Sequence, residues 1–113
     1  MNIDLIRKIC MQLKGATEDV KWGNDLVFSI GGKMFCVASL EPPFSCSFKV
    51  SDEQFEELSI RTGFAPAPYL ARAKWVLVTG ASQLQQKEWI QYISQSYELV
   101  KSKLSKKDRE KFI

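Results

Sequence analysis

Leu26-Val-Phe-Ser-Ile-Gly-Gly-Lys-Met-Phe-Cys-Val-Ala-Ser-Leu40 is the stretch on which the fold turns. Two runs rich in aromatic and β-branched residues flank Gly31-Gly32, and a two-glycine link between such runs predicts a tight hairpin. The turn pairs Ile30 with Lys33 and Phe28 with Phe35. Strict alternation then puts Leu26, Phe28, Ile30, Phe35 and Val37 on one side and Val27, Met34, Cys36 and Ala38 on the other. Both sides are apolar, whereas a sheet covered by helices on one face is expected to be polar on the other. Either the second face is covered within the monomer, or it meets a partner subunit or a ligand.

Downstream of the hairpin, Glu41-Pro-Pro-Phe44 cannot continue a ladder, because proline has no N–H to give, and it reads as a loop. Ser45 to Val50 is a third strand. Ser51-Asp-Glu-Gln54 matches a capping box opening a second helix, which Gly63 is placed to end. Phe64-Ala-Pro-Ala-Pro-Tyr69 is extended, since each residue before a proline avoids the α region, with room for one short edge strand. Lys74 to Thr79 is a strand. Ser82-Gln-Leu-Gln85 is a second capping box, and Trp89, Ile93, Ser96, Tyr97, Val100 and Leu104 follow as a long amphipathic helix. Upstream, Ile3, Ile6, Ile9, Cys10 and Leu13 repeat at helical spacing after Asn2, predicting a first helix that ends at Lys14-Gly15. Ala16 to Asp25 reads as polar and turn-like apart from Trp22. The order α-β-β-β-α-β-β-α, with no βαβ rhythm, predicts an α+β two-layer sandwich: an antiparallel sheet with helices on one face. Residues 1–113 form a single domain, with 105–113 expected as a frayed basic tail.

The composition narrows the chemistry. The 113 residues include no histidine, which removes the commonest general base, the commonest zinc ligand and the imidazole of a usual triad. Cys10, Cys36 and Cys46 form no CxxC pair and sit in apolar stretches, so they read as reduced core thiols. Cys36 and Cys46 fall on consecutive strands and are candidates for cross-strand neighbours. No apolar run approaches the roughly 18 residues of a membrane span. The start has no secretory character, so the expected compartment is the cytoplasm. Net charge is +3, but residues 101–113 hold six cations and two anions, leaving −1 on the rest.

Glu18-Asp-Val-Lys-Trp-Gly-Asn-Asp25, Gly31-Gly-Lys-Met-Phe35, Ser47-Phe-Lys49 and Ala67-Pro-Tyr-Leu-Ala-Arg72 before Lys74-Trp75 together resemble the MmcQ/YjbR family, over nearly the whole chain to about Leu104. The resemblance implies an α-β(3)-α-β(2)-α two-layer sandwich, similar in architecture to type III secretion chaperones. It also implies the DNA-binding label that family commonly carries.

One constellation mixes cations with aromatics: Lys21, Trp22, Lys33, Lys49, Tyr69, Arg72 and Lys74, with Trp75 beside them. Cations neutralise phosphates and release counterions, and aromatic rings stack on bases. Lys33 and Lys49 on adjacent strands are candidates to share one sheet surface. The competing reading makes Trp22 and Trp75 core residues and the lysines solvated strand ends. The C-terminal basic run could grip phosphates or simply complement the helix dipole. Glu18, Asp19 and Asp25 are a loose acidic group, read as turn capping rather than as an acid/base pair or a Mg²⁺ site. Gly31-Gly32 is a hairpin turn rather than a phosphate loop, and Ala65-Pro-Ala-Pro68 spaces Tyr69. The expectation is a non-catalytic DNA- or nucleic-acid-binding domain without metal or cofactor. The alternative is an interaction or homodimerisation module using the apolar second face.

Overall fold

The computed structural model describes residues 1–112; Ile113, the last residue of the expected tail, lies outside the described residues. The elements in chain order are α1 (Ile3–Met11), β1 (Thr17–Lys21), β2 (Asp25–Ile30), β3 (Lys33–Ser39), β4 (Cys46–Lys49), α2 (Asp52–Ser59), β5 (Phe64–Pro66), a 3₁₀ turn (Ala71–Ala73), β6 (Trp75–Val78), α3 (Gln86–Lys101) and α4 (Lys106–Glu110). One six-stranded sheet in the order β1-β2-β3-β4-β6-β5 is antiparallel throughout. The fold is α+β, as the pattern predicts, with one strand and one short helix more than expected. No helix among the described residues is long and apolar enough to cross a membrane.

The added strand is β1, in the segment that reads as a turn. Its sequence, Thr-Glu-Asp-Val-Lys, hides the strand because all but one of its residues are exposed. It is an edge strand, where charged side chains discourage pairing with other chains. A second departure lies in the hairpin. Ile30 does pair with Lys33, but Phe28 pairs with Cys36 and Ser29 with Met34, so Phe35 is an extra, bulged residue. A bulge resets the alternation on the bulged strand. Cys36 and Ala38 therefore join Leu26, Phe28 and Ile30 in the core, and Val37 moves to the opposite face.

Helix α3 fills the core side. Trp89, Ile93, Tyr97 and Val100 are buried against Phe28, Phe35 and Phe48, with Trp89 edge-on to Phe44 and Phe48 and Tyr97 edge-on to Phe35. Its N-terminus is set by Gln85 and Glu88, three residues later than the Ser82 box predicts; the Glu88 carboxylate accepts from the Gln85 N–H. Buried Ser96 has an unusual task. Its hydroxyl donates to Phe35 O at 2.5 Å and accepts from Lys49 N–H at 2.9 Å. The β3–β4 ladder ends one pair earlier, at Cys36–Phe48. Ser96 thus satisfies the two backbone groups that the bulge leaves without each other, as buried polar groups require.

The three cysteines are all buried and free. Cys36 and Cys46 are neighbours on the core face, with Sγ atoms 3.5 Å apart. Burial and contact with Cys36 hold the Cys10 thiol far above its ordinary range, and contact with Cys36 and burial do the same for Cys46. Their place is that of core thiols.

The segment expected to fray is instead helix α4, capped by the Ser105 hydroxyl on Asp108 N–H. Phe112 packs against the core and covers Gly15 so closely that a Cβ there would lie 2.1 Å from its ring. Lys101 sits over the Tyr97 ring and donates to Phe112 O, while the Tyr97 hydroxyl donates to Lys14 O. A polar sequence conceals this clasp because one aromatic residue anchors it.

Candidate nucleic-acid interface

The face of the sheet away from the core carries Asp25, Val27, Val37, Ser47 and Trp75. Val27 and Trp75 are buried even here, so the chain covers part of its own second face. Residues 67–74 supply part of the cover. They leave β5, turn back over β6 through Ala67 N–H to Trp75 O and Trp75 N–H to Leu70 O, and are held from below by the Lys49 ammonium on Ala73 O. Trp75 is therefore buried under this cover, while Trp22 is two-thirds exposed.

What remains open is a cleft of about 480 Å³ between the β1–β2 turn and residues 67–70. Trp22 and Tyr69 stand at its two sides; Asp25, Met34, Val37 and Ser47 line it between them. Both aromatics occupy left-handed backbone conformations, Trp22 at φ +53° and Tyr69 at φ +66°. Ala67-Pro-Tyr-Leu70 closes a β-turn with Leu70 N–H on Ala67 O. Pro68 takes the second position, and Tyr69 the third, where a positive φ usually selects glycine. A left-handed non-glycine residue costs roughly 1–2 kcal/mol. Strain of this kind on bulky side chains concentrates at functional sites.

The structure brings together only part of the expected constellation. Trp22 and Tyr69 share the cleft. Lys21 lies next to Trp22 and faces Asp25 across the strands. Lys33 is exposed at the hairpin, next to cleft-lining Met34. Arg72 is exposed on the 3₁₀ turn. Lys33 and Lys49 do not share an open surface: Lys49 bends to Ala73 O, and burial, then repulsion from Lys103, lowers its pKa, with Lys74 adding to the effect and Asp52 opposing it. Lys74 turns away to place its ammonium 5.1 Å from the centre of the Phe55 ring. Among the described residues no carboxylate lies within ion-pair distance of these five cations; the salt bridges there are Arg7–Glu18 and Lys111–Asp108. The acidic group is dispersed, with Glu18 bound to Arg7 at 2.6 Å and Asp19 on the opposite side of β1. Among the described residues no cluster of metal-ligating side chains occurs.

The lining missed by sequence reasoning is Asp25, Val37 and Ser47, with Ala67, Pro68 and Leu70 around Tyr69. The bulge decides Val37, and the β3–β4 register decides Ser47; neither leaves a local signal. Met34 was legible as part of the apolar second face.

A family model described as YjbR matches residues 11–99, which takes in the whole cleft. The chain belongs to the YjbR family. This YjbR domain is similar to protein DR2400 of Deinococcus radiodurans, a structure described with the family-model domain DUF419, at 27% identity and a TM-score of 0.87, covering 98% of this chain and 87% of that one. It also shares its fold with a protein from Pseudomonas syringae, at 19% identity and a TM-score of 0.74, covering 88% and 99%. No curated protein matches the chain.

Proposed function

We propose that this YjbR domain is a non-catalytic nucleic-acid-binding module of the cytoplasm, with DNA as its first candidate polymer. The observation that carries the reading is the set of cations without carboxylate partners beside an aromatic cleft. Lys21 precedes Trp22 and Arg72 follows Tyr69 by three residues, and Lys103 and Lys74 are close enough to Lys49 to repel its charge. Uncompensated cations cost the free protein and are offset when phosphates replace their counterions. Fluorescence anisotropy of a labelled DNA duplex and a labelled single strand, at low and physiological salt, tests it. The expected affinity falls with salt, and Lys21→Ala with Arg72→Ala reduces the salt slope by about one for each phosphate that goes unneutralised. Absence of binding to either DNA at low salt would sink the reading.

A second reading is favoured by the same face's apolar character. Exposed Trp and Tyr beside an apolar cleft are typical anchors of protein interfaces, which suits an interaction or homodimerisation module. Sedimentation velocity at high protein concentration decides whether the domain pairs with itself.

A further inference from the structure

We propose that the cleft between Trp22 and Tyr69 is a slot for one unstacked base of a single-stranded nucleic acid, the phosphates staying outside on the neighbouring cations. This rests on the nucleic-acid reading above and adds to it what enters the cleft. A volume of about 480 Å³ falls within the roughly 300–1,000 Å³ of small-molecule sites, and is too small for a duplex. The slot itself excludes phosphate: its one charged lining residue is Asp25, a carboxylate. What suits it is a flat, unsaturated group with a polar edge. Met34 and Val37 offer apolar contact to such a group, the Trp22 and Tyr69 rings offer π-faces, and Asp25 and Ser47 offer acceptors to an amino or imino edge.

Charge places the rest of the ligand. Lys21 is the chain neighbour of Trp22 and pairs across the strands with slot-lining Asp25, and Arg72 lies three residues past Tyr69. With consecutive Cα atoms about 3.8 Å apart, the first of these cations is fixed one residue step from the slot. Anionic groups flanking a flat one describe a nucleotide within a strand. In a duplex each base is stacked on both faces and paired at its edge, so a slot of this kind selects single strands. The left-handed φ of both aromatics gives independent support. Neither ring is buried, so the packing of the free domain does not repay the strain, whereas a stacked ligand does.

Intrinsic fluorescence supplies the test, because Trp75 and Trp89 are buried and Trp22 is the exposed indole. The full chain is titrated at low salt with a thymidine strand, with an abasic strand of the same length, and with a duplex. The thymidine strand is expected to quench Trp22 and to bind at least about tenfold tighter than the abasic strand, the scale of one base–aromatic stack. Read by anisotropy of labelled strands, since substitution of Trp22 removes the reporting indole, Trp22→Ala and Tyr69→Ala are each expected to cost the thymidine strand about tenfold and to leave the abasic strand unchanged. Trp22→Phe should recover most of the loss, and near-ultraviolet dichroism verifies that each variant is folded. Equal affinity for thymidine and abasic strands, unmoved by the aromatic variants, overturns the slot while leaving the cationic surface standing. Failure of every strand to bind overturns both. A dimer that Tyr69→Ala dissociates, in protein that ignores the strands, gives the cleft to a second copy of the chain and overturns the proposal.

Discussion

Trp89 and Trp22 mark the two faces of one sheet. Trp89 is fully buried, edge-on to Phe44 and Phe48. Trp22 stands largely in solvent on a turn whose backbone it strains to occupy. The helix-covered face packs its aromatics edge to face and bridges through Ser96 the two backbone groups that the bulge separates. The opposite face is finished on one side by residues 67–74 and left open on the other, with strain and unpaired charge beside the opening. Stability and recognition have been assigned to different sides of the same strands, and substitutions should separate them.

The largest separation comes from the two indoles. Trp89→Ala is expected to cost about 3–5 kcal/mol, the scale of a large core aromatic removed, while Trp22→Ala stays within about 0.5 kcal/mol; urea unfolding measures both. Comparable losses would mean that the two faces are one cooperative core. Next is Ser96→Ala, expected to cost about 2 kcal/mol, because it strands the Phe35 carbonyl and the Lys49 amide where water does not reach. Hydrogen exchange at the Lys49 amide should rise more than at Phe48. Tyr69→Gly works in the opposite direction. It relieves the left-handed strain at the cost of glycine's greater unfolded freedom, for a net gain of roughly 0.5–1 kcal/mol, while strand binding falls. A loss of stability there would show that the exposed ring supports the fold.

The smallest effect belongs to the Arg7–Glu18 pair, which joins α1 to the edge strand. Hydrogen bonding from Arg7 holds the Glu18 carboxyl below its usual range, against an opposing effect of burial. A depressed carboxyl contributes stability that is complete above the ordinary carboxylate range and is lost as pH falls through the lowered value. Wild type should therefore exceed Glu18→Gln slightly at neutral pH and converge with it in acid, as thermal melts across that range would record. Arg7 is largely exposed and Glu18 partly so, which keeps the margin small.

Much of the fold was legible in the chain. Gly31-Gly32 announced the hairpin, Ser51 and Gln54 the start of α2, and the prolines at 66 and 68 the short edge strand. Failures came where tertiary context overrode a local signal. β1 is a strand because β2 presents it a ladder, not because Thr-Glu-Asp-Val-Lys favours one. The bulge at Phe35 is set by the fit to α3, and with it the face on which Val37 lies. The candidate site was half legible. The aromatics and flanking cations could be named from residue type, but that Lys49 and Lys74 turn aside, and that Asp25 and Ser47 turn in, depends on a register no sequence window contains.

The clasp at the C-terminus has a consequence for how the chain is made. The end of α1 receives the Tyr97 hydroxyl from 83 residues away, and Gly15 receives Phe112. A polypeptide emerging N-terminus first holds α1 without these neighbours until Phe112 has been made. The first element of this domain is thus among its last to be locked, and a nascent chain halted before Phe112 would expose α1 to chaperones and proteases. The same closure makes the neighbourhood of Phe112 a poor place for a bulky insertion and the β1–β2 turn, which takes no part in it, a better one for a probe.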